Sequence, residues 1–220
     1  MLGEERNGKV VTLRFERPEK KNALSIELRD RLSDTLDRLT EDKDTKVVIF
    51  TGEGDVFSAG FDLSEFEARD DESHMERLWA SSDRYHKAVL QFPLPTIAAI
   101  NGPAMAGGFD LAVMCDMRIA TPNARFAHPE ILFGDVVYGP LREQIGGGRA
   151  RELILTGRNV DAEEALSLGL ISQIVPADQL AETANELAQT VARPARALLM
   201  RTKGKIMQRS GDTGMATFDL

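Results

Sequence analysis

Several residue types and patterns are scarce in this sequence, and each scarcity excludes a class of protein. Cys115 is the only cysteine, so the chain can form neither an internal disulfide nor a cysteine-rich metal cluster. The three histidines, His74, His86 and His128, do not have the spacing of metal ligands, and we expect no metal site. No apolar run reaches the roughly 20 residues that cross a bilayer, because charged residues interrupt every candidate.

Excess positive charge is also missing. Lys and Arg number 27 against 35 Asp and Glu, which gives a formal net charge of -8. This sign opposes attraction to phosphate backbones, so we expect no nucleic-acid partner. The amino terminus reads Met-Leu-Gly-Glu-Glu-Arg, with acids where a signal peptide has basic residues. We therefore expect a soluble, cytoplasmic protein without a membrane partner.

What the sequence does contain is enough apolar material for one sizeable core, since 42% of its 220 residues are hydrophobic. Short runs of β-forming residues alternate with helical patterns, which is typical of the α/β class. The predicted strands cover residues 10–15, 47–50, 96–100, 117–120 and 171–175. Beyond Pro176 the pattern is helical only, so we predict a core over residues 1–175 and a C-terminal helical segment over 176–220.

A leucine stripe predicts the first helix. Leu28, Leu32, Leu36 and Leu39 recur at helical spacing, and Ser25 precedes them as an N-cap. Further helices are predicted within residues 64–91, from residue 107 onward, over 149–155 and over 161–168.

Two segments share one design, in which an apolar strand leads into a turn of small residues and then into a helix. They cover residues 47–63 and 96–111. A helix start leaves N–H groups without partners and carries partial positive charge, so two facing starts could hold a developing oxyanion. Each turn taken alone is better explained as a simple glycine connector, since short glycine-rich turns are common.

Taken together, these segments and several others match one family in register. The matching segments are Lys21-Asn22-Ala23-Leu24, Thr51-Gly52, Phe57-Ser58-Ala59-Gly60-Phe61-Asp62-Leu63, Ile97-Ala98-Ala99-Ile100-Asn101-Gly102, Gly107-Gly108-Phe109-Asp110-Leu111-Ala112, Cys115-Asp116-Met117-Arg118-Ile119-Ala120, Ala124-Arg125-Phe126-Ala127-His128-Pro129-Glu130, Leu155-Thr156-Gly157-Arg158, Asp161-Ala162-Glu163-Glu164-Ala165 and Gly169-Leu170. Over nearly its whole length the chain thus resembles the crotonase superfamily of enoyl-CoA hydratases and isomerases.

The resemblance implies a spiral of repeated β-β-α units, with a coenzyme A thioester as substrate and no separate cofactor. The thioester lies across the two glycine turns, and its oxygen is held by the backbone N–H groups of Phe61 and Gly107. The implied coenzyme A path consists of Ala23, Ser58, Ala59, Gly60, Asp62 and Leu63. The C-terminal segment would serve assembly or close over coenzyme A, and the family implies a homotrimer or hexamer. Because the chain stops at Leu220, before further helices usual in the family, that expectation is weakened.

Two acids stand at the positions that hold the reacting water in the family's hydratases, Asp110 and Glu130. Glu130, at the mouth of an apolar pocket, is expected to have a raised pKa and to exchange protons near neutrality. Asp110 departs from the hydratase pattern, because its side chain is about 1.5 Å shorter than that of glutamate. Such a shortening misplaces a catalytic group unless the backbone compensates.

An aspartate at position 110 also resembles the dienoyl-CoA isomerases, which carry another aspartate after the glutamate. Asp135 and Glu143 are the candidates here, and neither stands in clean register. The segment 134–143 lacks the family's usual Pro-Gly-Gly-Gly stretch, so the acyl pocket is expected to be remodelled. Tyr138 either donates a hydrogen bond to substrate or packs within this loop.

Basic residues near both ends of the chain are candidates for the coenzyme A phosphates or for ordinary solvated surface. They are Arg17, Lys20, Lys21, Arg201, Lys203, Lys205 and Arg209. Hydration of a 2-enoyl-CoA by the two acids is the leading hypothesis, and double-bond isomerisation is the second. A thioester hydrolase, a decarboxylase or a coenzyme A-binding subunit without turnover stays open as a third.

Overall fold

The computed structural model describes residues 1–68 and 70–210. Within them the strands are β1 Leu2–Asn7, β2 Val10–Phe15, β3 Val47–Gly52, β4 Thr96–Ile100, β5 Ala104–Met105, β6 Met117–Ala120, β7 Arg125–Ala127 and β8 Val160–Asp161. The α-helices are α1 Ile26–Glu41, α2 Glu72–Leu90, α3 Gly107–Met114, α4 Gly139–Ile145, α5 Gly147–Thr156, α6 Ala162–Ser167, α7 Leu180–Val191 and α8 Arg196–Ser210. Short 3-10 helices cover Pro18–Lys20, Leu63–Ala68, Pro129–Leu132 and Ala177–Gln179.

The main sheet has the strand order β1-β2-β3-β4-β6. Strands β2, β3, β4 and β6 are parallel, and β1 runs antiparallel to β2 at the edge. All six residues of β3 are buried, as expected for a central strand covered on both faces. The strands predicted at residues 10–15, 47–50, 96–100 and 117–120 are confirmed.

A second, smaller layer makes the fold a spiral. Strands β5, β7 and β8 form a short sheet, with β5 parallel to β7. Two single bridges extend this layer, because Ser58 pairs with Ala104 and Leu24 pairs with Phe61. Successive units of the chain thus add one strand to the main sheet and one short extended segment to the second layer before a helix begins. The predicted α/β spiral of β-β-α units is confirmed by this arrangement.

Side-chain caps start three of the helices, including the Ser25 cap that the sequence predicts. The Ser25 side chain accepts a hydrogen bond from Leu28 N at the start of α1, and Asp161 accepts from Glu164 N at the start of α6. The charged segment after residue 64 becomes a 3-10 helix followed by α2, which Asp71 caps.

Two extended segments differ from the sequence expectation. Residues 171–175 form no strand but run beside β6, where Val175 N donates to Ala120 O and Ala120 N donates to Gln173 O. Strand β1 gives no sequence signal, because Leu2 is its only buried residue and the rest of the strand is polar or glycine. The strand is held in place by its antiparallel backbone hydrogen bonds to β2.

The core lies on both faces of the main sheet. One face packs against α1, α2 and α3, while the opposite face carries a cluster that includes Val47 and Ile97. Helix α7 covers this second face with Leu180, Ala184 and Ala188. The first part of the C-terminal segment therefore completes the sheet's core, and the division after residue 175 stays a prediction. Among the helices described, none is both long and apolar enough to span a membrane.

Helix α8 is anchored by a buried cation. Lys203 Nζ donates to Asp116 Oδ2 at 2.7 Å and to Leu94 O at 2.8 Å. Asp116 also accepts from the backbone N and hydroxyl of Thr96, so it links the start of β4 to α8. Lys203 is therefore neither a solvated surface residue nor a free ligand for a phosphate, and both sequence interpretations of it are wrong. Arg201, Lys205 and Arg209 are exposed.

Candidate active site

The buried side chain of Asn22 supports the first glycine turn, which precedes Phe61, through hydrogen bonds to its backbone. Asn22 is fully buried in a left-handed conformation with φ 54°, and its amide donates to Glu53 O and Val56 O. Ser58 Oγ donates to Asn22 O and accepts from Gly60 N. The loop from residue 53 to residue 60 is thereby fixed before it reaches Phe61. Asn22 carries no separate sequence signal beyond its place in the family motif Lys21-Asn22-Ala23-Leu24.

The second glycine turn is fixed by the small sheet. Met105 pairs with Ala127, and Ala106 N donates to Ala127 O at 2.9 Å. Ala106 has φ 49° and ψ -129°, a region that costs a side-chain-bearing residue about 1–3 kcal/mol. Helix α3 begins at the next residue, Gly107. The strained residue thus turns the chain so that the start of α3 faces the first turn.

The two turns are in close contact. A Cβ on Gly60, which has φ +90°, would lie 2.7 Å from Ala106 Cβ and 3.1 Å from Gly107 N. A Cβ on Gly107 would lie 3.7 Å from Phe61 N. Within the described residues, neither Phe61 N nor Gly107 N donates a hydrogen bond to a protein acceptor. The sequence-predicted donors are therefore neighbours with free N–H groups, and their joint role at one oxygen stays a prediction.

A cavity of about 640 Å³ opens beside these two N–H groups. Its wall is mostly apolar, with Phe66, Trp79, Phe133, Val136 and Val137 among its members. The sequence-predicted residues that line it are Ala59, Phe61, Leu63, Gly107, Asp110 and Glu130. The structure thus brings both acids and both donors to one space.

Four of the predicted coenzyme A residues do not line this cavity. Ala23, Ser58 and Gly60 are buried supports of the first turn. The Asp62 carboxylate pairs with Arg17 at 3.0 Å and accepts from the Ser64 hydroxyl. Arg17, a phosphate candidate, is engaged in that pair. Contact of coenzyme A with these residues stays a prediction, as it does for the exposed Lys20 and Lys21.

Glu130 lies in the 3-10 helix Pro129–Leu132, directly after the end of β7. Its Oε2 is buried and has no hydrogen-bond partner among the described residues. The pKa of Glu130 is raised to about 7, first by burial and then by the charge of Asp110, against the opposing charge of His128. The structure thus gives Glu130 the raised pKa expected from the sequence, and its role in proton exchange stays a prediction.

Asp110 has a partner that sequence spacing did not reveal. It lies in the first turn of α3, and its Oδ1 is 2.9 Å from His128 Nε2. The two side chains are 7% and 1% exposed. One carboxylate oxygen of Asp110, one ring nitrogen of His128 and one carboxylate oxygen of Glu130 all lie within 4.8 Å of one another. Histidine spacing does not reveal the contact between Asp110 and His128, because 18 residues separate them along the chain. That the histidines hold no metal stays a prediction.

Burial lowers the pKa of His128, but the hydrogen bond and charge of Asp110 together with the charge of Glu130 outweigh it. The net result is a pKa above the ordinary value of 6.5. The imidazole is therefore disposed to carry a positive charge between two acids.

The Phe61 ring forms the wall next to Gly107 and has its own support. The guanidinium of Arg29 lies 4.2 Å from the ring centroid, and the rings of Tyr85 and His86 flank it at 6.4 Å and 6.2 Å. Arg29 is fully buried and donates to Leu24 O and Ser81 Oγ. A buried arginine was not foreseen from a sequence in which it stands among surface-like charges of α1.

The remaining candidates separate into different places. Asp135 is exposed and lines the same cavity as Glu130. Glu143 lines a second cavity of about 340 Å³ beside Lys203. Tyr138 is the residue before α4, and its hydroxyl lies 3.3 Å from the place of a Cβ on Gly147. Only Asp135 of these three is placed to meet a ligand of the first cavity.

The raised pKa of Glu130 predicts a pH-dependent gain in stability for Glu130→Gln. A folded-state pKa near 7 against 4.5 means that the folded parent loses stability as pH rises between those values. Gln does not titrate and so removes this loss. After discounting for partial exposure, the free energy of unfolding of the variant should exceed that of the parent by about 1–2 kcal/mol at about pH 8 and by much less near pH 5. Urea unfolding at both pH values measures the difference. A constant difference would contradict a titrating Glu130.

Comparisons with known proteins agree with this geometry. The model of the family described as enoyl-CoA hydratase/isomerase matches residues 5–220. A short-chain-enoyl-CoA hydratase of Clostridium acetobutylicum is 33% identical over 96% of this chain and 84% of its own length. A 4-chlorobenzoyl coenzyme A dehalogenase-2 of Arthrobacter is 35% identical over 93% of this chain and 76% of its own. The crystal structure of an enoyl-CoA hydratase from Bacillus anthracis superposes with a TM-score of 0.87 at 35% identity, covering 93% of this chain and 81% of that one. The chain is an enzyme of the enoyl-CoA hydratase/isomerase family.

Proposed function

We propose that this enzyme adds water to the conjugated double bond of a 2-enoyl-CoA thioester. The observation that carries the proposal is the meeting of two carboxyl groups, Asp110 and Glu130, in one apolar cavity whose wall also holds the two free N–H donors. The relative named as a short-chain-enoyl-CoA hydratase supports the same reaction.

One of the two acids serves as the general base and the other as the general acid. Asp110 accepts a hydrogen bond from His128 and acts as the base, so it takes a proton from water as the water oxygen bonds to C3. The double-bond electrons move towards the thioester oxygen, where the N–H groups of Phe61 and Gly107 stabilise the negative charge. Glu130, whose pKa of about 7 keeps a large share protonated at neutrality, gives its proton to C2. Solvent exchange then returns both acids to their starting states.

A direct assay tests the reaction. The purified protein is mixed with a 2-enoyl-CoA thioester, and the absorbance of the conjugated system is followed. We expect the absorbance to fall as the 3-hydroxyacyl product forms. Unchanged absorbance, under conditions in which an ordinary hydratase removes it, would overturn the proposal.

Double-bond isomerisation is the second candidate, because Asp135 lines the same cavity. In this reaction a base removes a proton from one carbon of a 3,5-dienoyl thioester and an acid returns a proton farther along, which gives the 2,4 isomer. We expect Asp135→Asn to abolish isomerisation if it occurs, and to change hydration by less than about threefold. Product analysis on both substrates measures this, and failure of the parent to convert the dienoyl thioester removes the candidate.

Thioester hydrolysis or decarboxylation is the third candidate, because the segment 134–143 lacks the family's usual Pro-Gly-Gly-Gly stretch and Asp110 departs from the hydratase pattern. Hydrolysis releases free coenzyme A thiol, whereas hydration does not. A thiol reagent applied across a panel of acyl-CoA thioesters therefore separates the two. Tight coenzyme A binding without any product would favour a binding subunit. We further propose a homotrimer or hexamer in the cytoplasm, as the family resemblance implies.

A further inference from the structure

Among the buried ionisable groups around the site, His128 is the one that contacts a reacting acid without taking or giving a proton in the proposed hydration. His128 is 1% exposed, and its ring stacks on Phe109 with centroids 4.6 Å apart and an interplanar angle of 26°. Stacking fixes the plane of the imidazole, and β7 fixes its backbone. Nε2 therefore reaches Asp110 Oδ1 in one defined direction.

We propose that His128 is a positioning residue that makes the short Asp110 side chain work as the base of this site. The inference rests on the proposed hydration, because it assigns a role within that reaction. An ionised carboxylate only accepts hydrogen bonds, so Nε2–H is the donor of the 2.9 Å bond. The bond occupies Oδ1 and leaves Oδ2 as the oxygen that can accept a proton from water entering the cavity that Asp110 lines. This constraint replaces the reach that a glutamate would have supplied.

His128 also acts on the second acid through its charge. The imidazole and the carboxyl group of Glu130 contribute atoms within 4.8 Å of each other. A cation there favours the ionised form of Glu130 and holds its pKa below the value that burial and Asp110 alone would give. Two further titratable groups, Tyr85 and His86, face this cluster from α2. The charge of Asp110 contributes to the pKa of each of them. Neither of them contributes an atom to the group of three.

Two substitutions at residue 128 separate the effects of the donor, the charge and the packing, and a third substitution elsewhere is the control. His128→Gln can keep an N–H donor at comparable reach without the charge, whereas His128→Phe keeps the ring stacked on Phe109 without a donor. We expect kcat to fall by about tenfold or less in the Gln variant and by about 10²-fold in the Phe variant, with KM changed by less than about threefold. His74→Gln is the matched control, since His74 lies outside the cavity wall and bonds to Glu65 O. It should leave kcat unchanged.

The pH profile gives a readout that a merely structural role would not move. Glu130 must be protonated to act as the acid, so kcat should fall as pH rises through its pKa. Removing the positive charge of His128 raises that pKa, and the falling limb of the Gln variant should move to higher pH. A limb at the parent's position, or equal kcat in the Gln and Phe variants, would overturn the proposal.

An NMR titration tests the pair without using activity. We expect His128, assigned by comparison with the Gln variant, to titrate above 6.5 in the parent and at a lower pH in Asp110→Asn, which lacks the negative charge. A ring that does not respond to Asp110→Asn would overturn the inference even in an active enzyme. A parent that fails to hydrate any enoyl thioester but shows the expected titration would overturn the proposed function and leave the pair intact. The two failures are therefore distinguishable.

Discussion

Glu130→Gln is expected to lower kcat for hydration by about 10³-fold, within the 10²–10⁴-fold range typical of a lost general acid. Gln has nearly the same shape as Glu but cannot release a proton at neutral pH. Because the apolar wall and the two N–H donors are unaffected, KM should change by less than about threefold. Initial rates at saturating and limiting 2-enoyl-CoA separate the two constants.

Glu163→Gln is the matched control for this substitution, since Glu163 is exposed on α6 and does not line the cavity. Its kcat should equal that of the parent. The variant at residue 130 is also expected to be at least as stable as the parent above neutrality, because the cost of burying an ionised carboxylate is gone. Loss of activity together with retained stability places the effect in the chemistry. A kcat within about threefold of the parent would show that another group delivers the proton.

Local patterns were sufficient for most of the fold. The leucine stripe and the Ser25 cap are local signals, and together they predict α1 and the residue before which it begins. The apolar run of β3 likewise predicts a strand buried on both faces. Residues 171–175 show the limit of the same reasoning. They are predicted as a strand, but within the described residues they form one isolated bridge, between Ile174 and Ala120.

The site was predictable where a motif carries it, and hidden where partners come from separate elements. Glu130 and Asp110 were assigned from register with a family pattern, and their common cavity agrees with it. The pairing of Asp110 with His128 depends on β5 and β7 lying side by side, which brings the residues after each strand together. The burial of Arg29 against Phe61 likewise depends on how α1 packs on the first turn. No spacing rule in one sequence contains these contacts.

Gly107→Ala is expected to lower kcat by about 10²–10³-fold, the usual loss for a removed or displaced oxyanion donor. The added Cβ would lie 2.8 Å and 2.9 Å from two atoms of the Phe61 ring, which is closer than such atoms approach. Arg29 lies over one face of the ring and Tyr85 and His86 flank it, so the ring loses these contacts if it turns into the cavity that it lines. We expect the turn carrying Phe61 N or the start of α3 to move instead, which separates the two N–H groups.

A double-mutant cycle identifies the clash as the cause. Phe61→Ala removes the ring and leaves the backbone N–H in place, so adding it to Gly107→Ala should restore part of the lost kcat. Gly148→Ala is the matched control, since a Cβ at that position of α5 meets no atom within 4 Å and kcat should not change. If Gly107→Ala keeps kcat within about threefold of the parent, a displaced donor is not limiting. The thioester oxygen would then be stabilised elsewhere, because a site that depends on two N–H groups on neighbouring turns does not tolerate their separation.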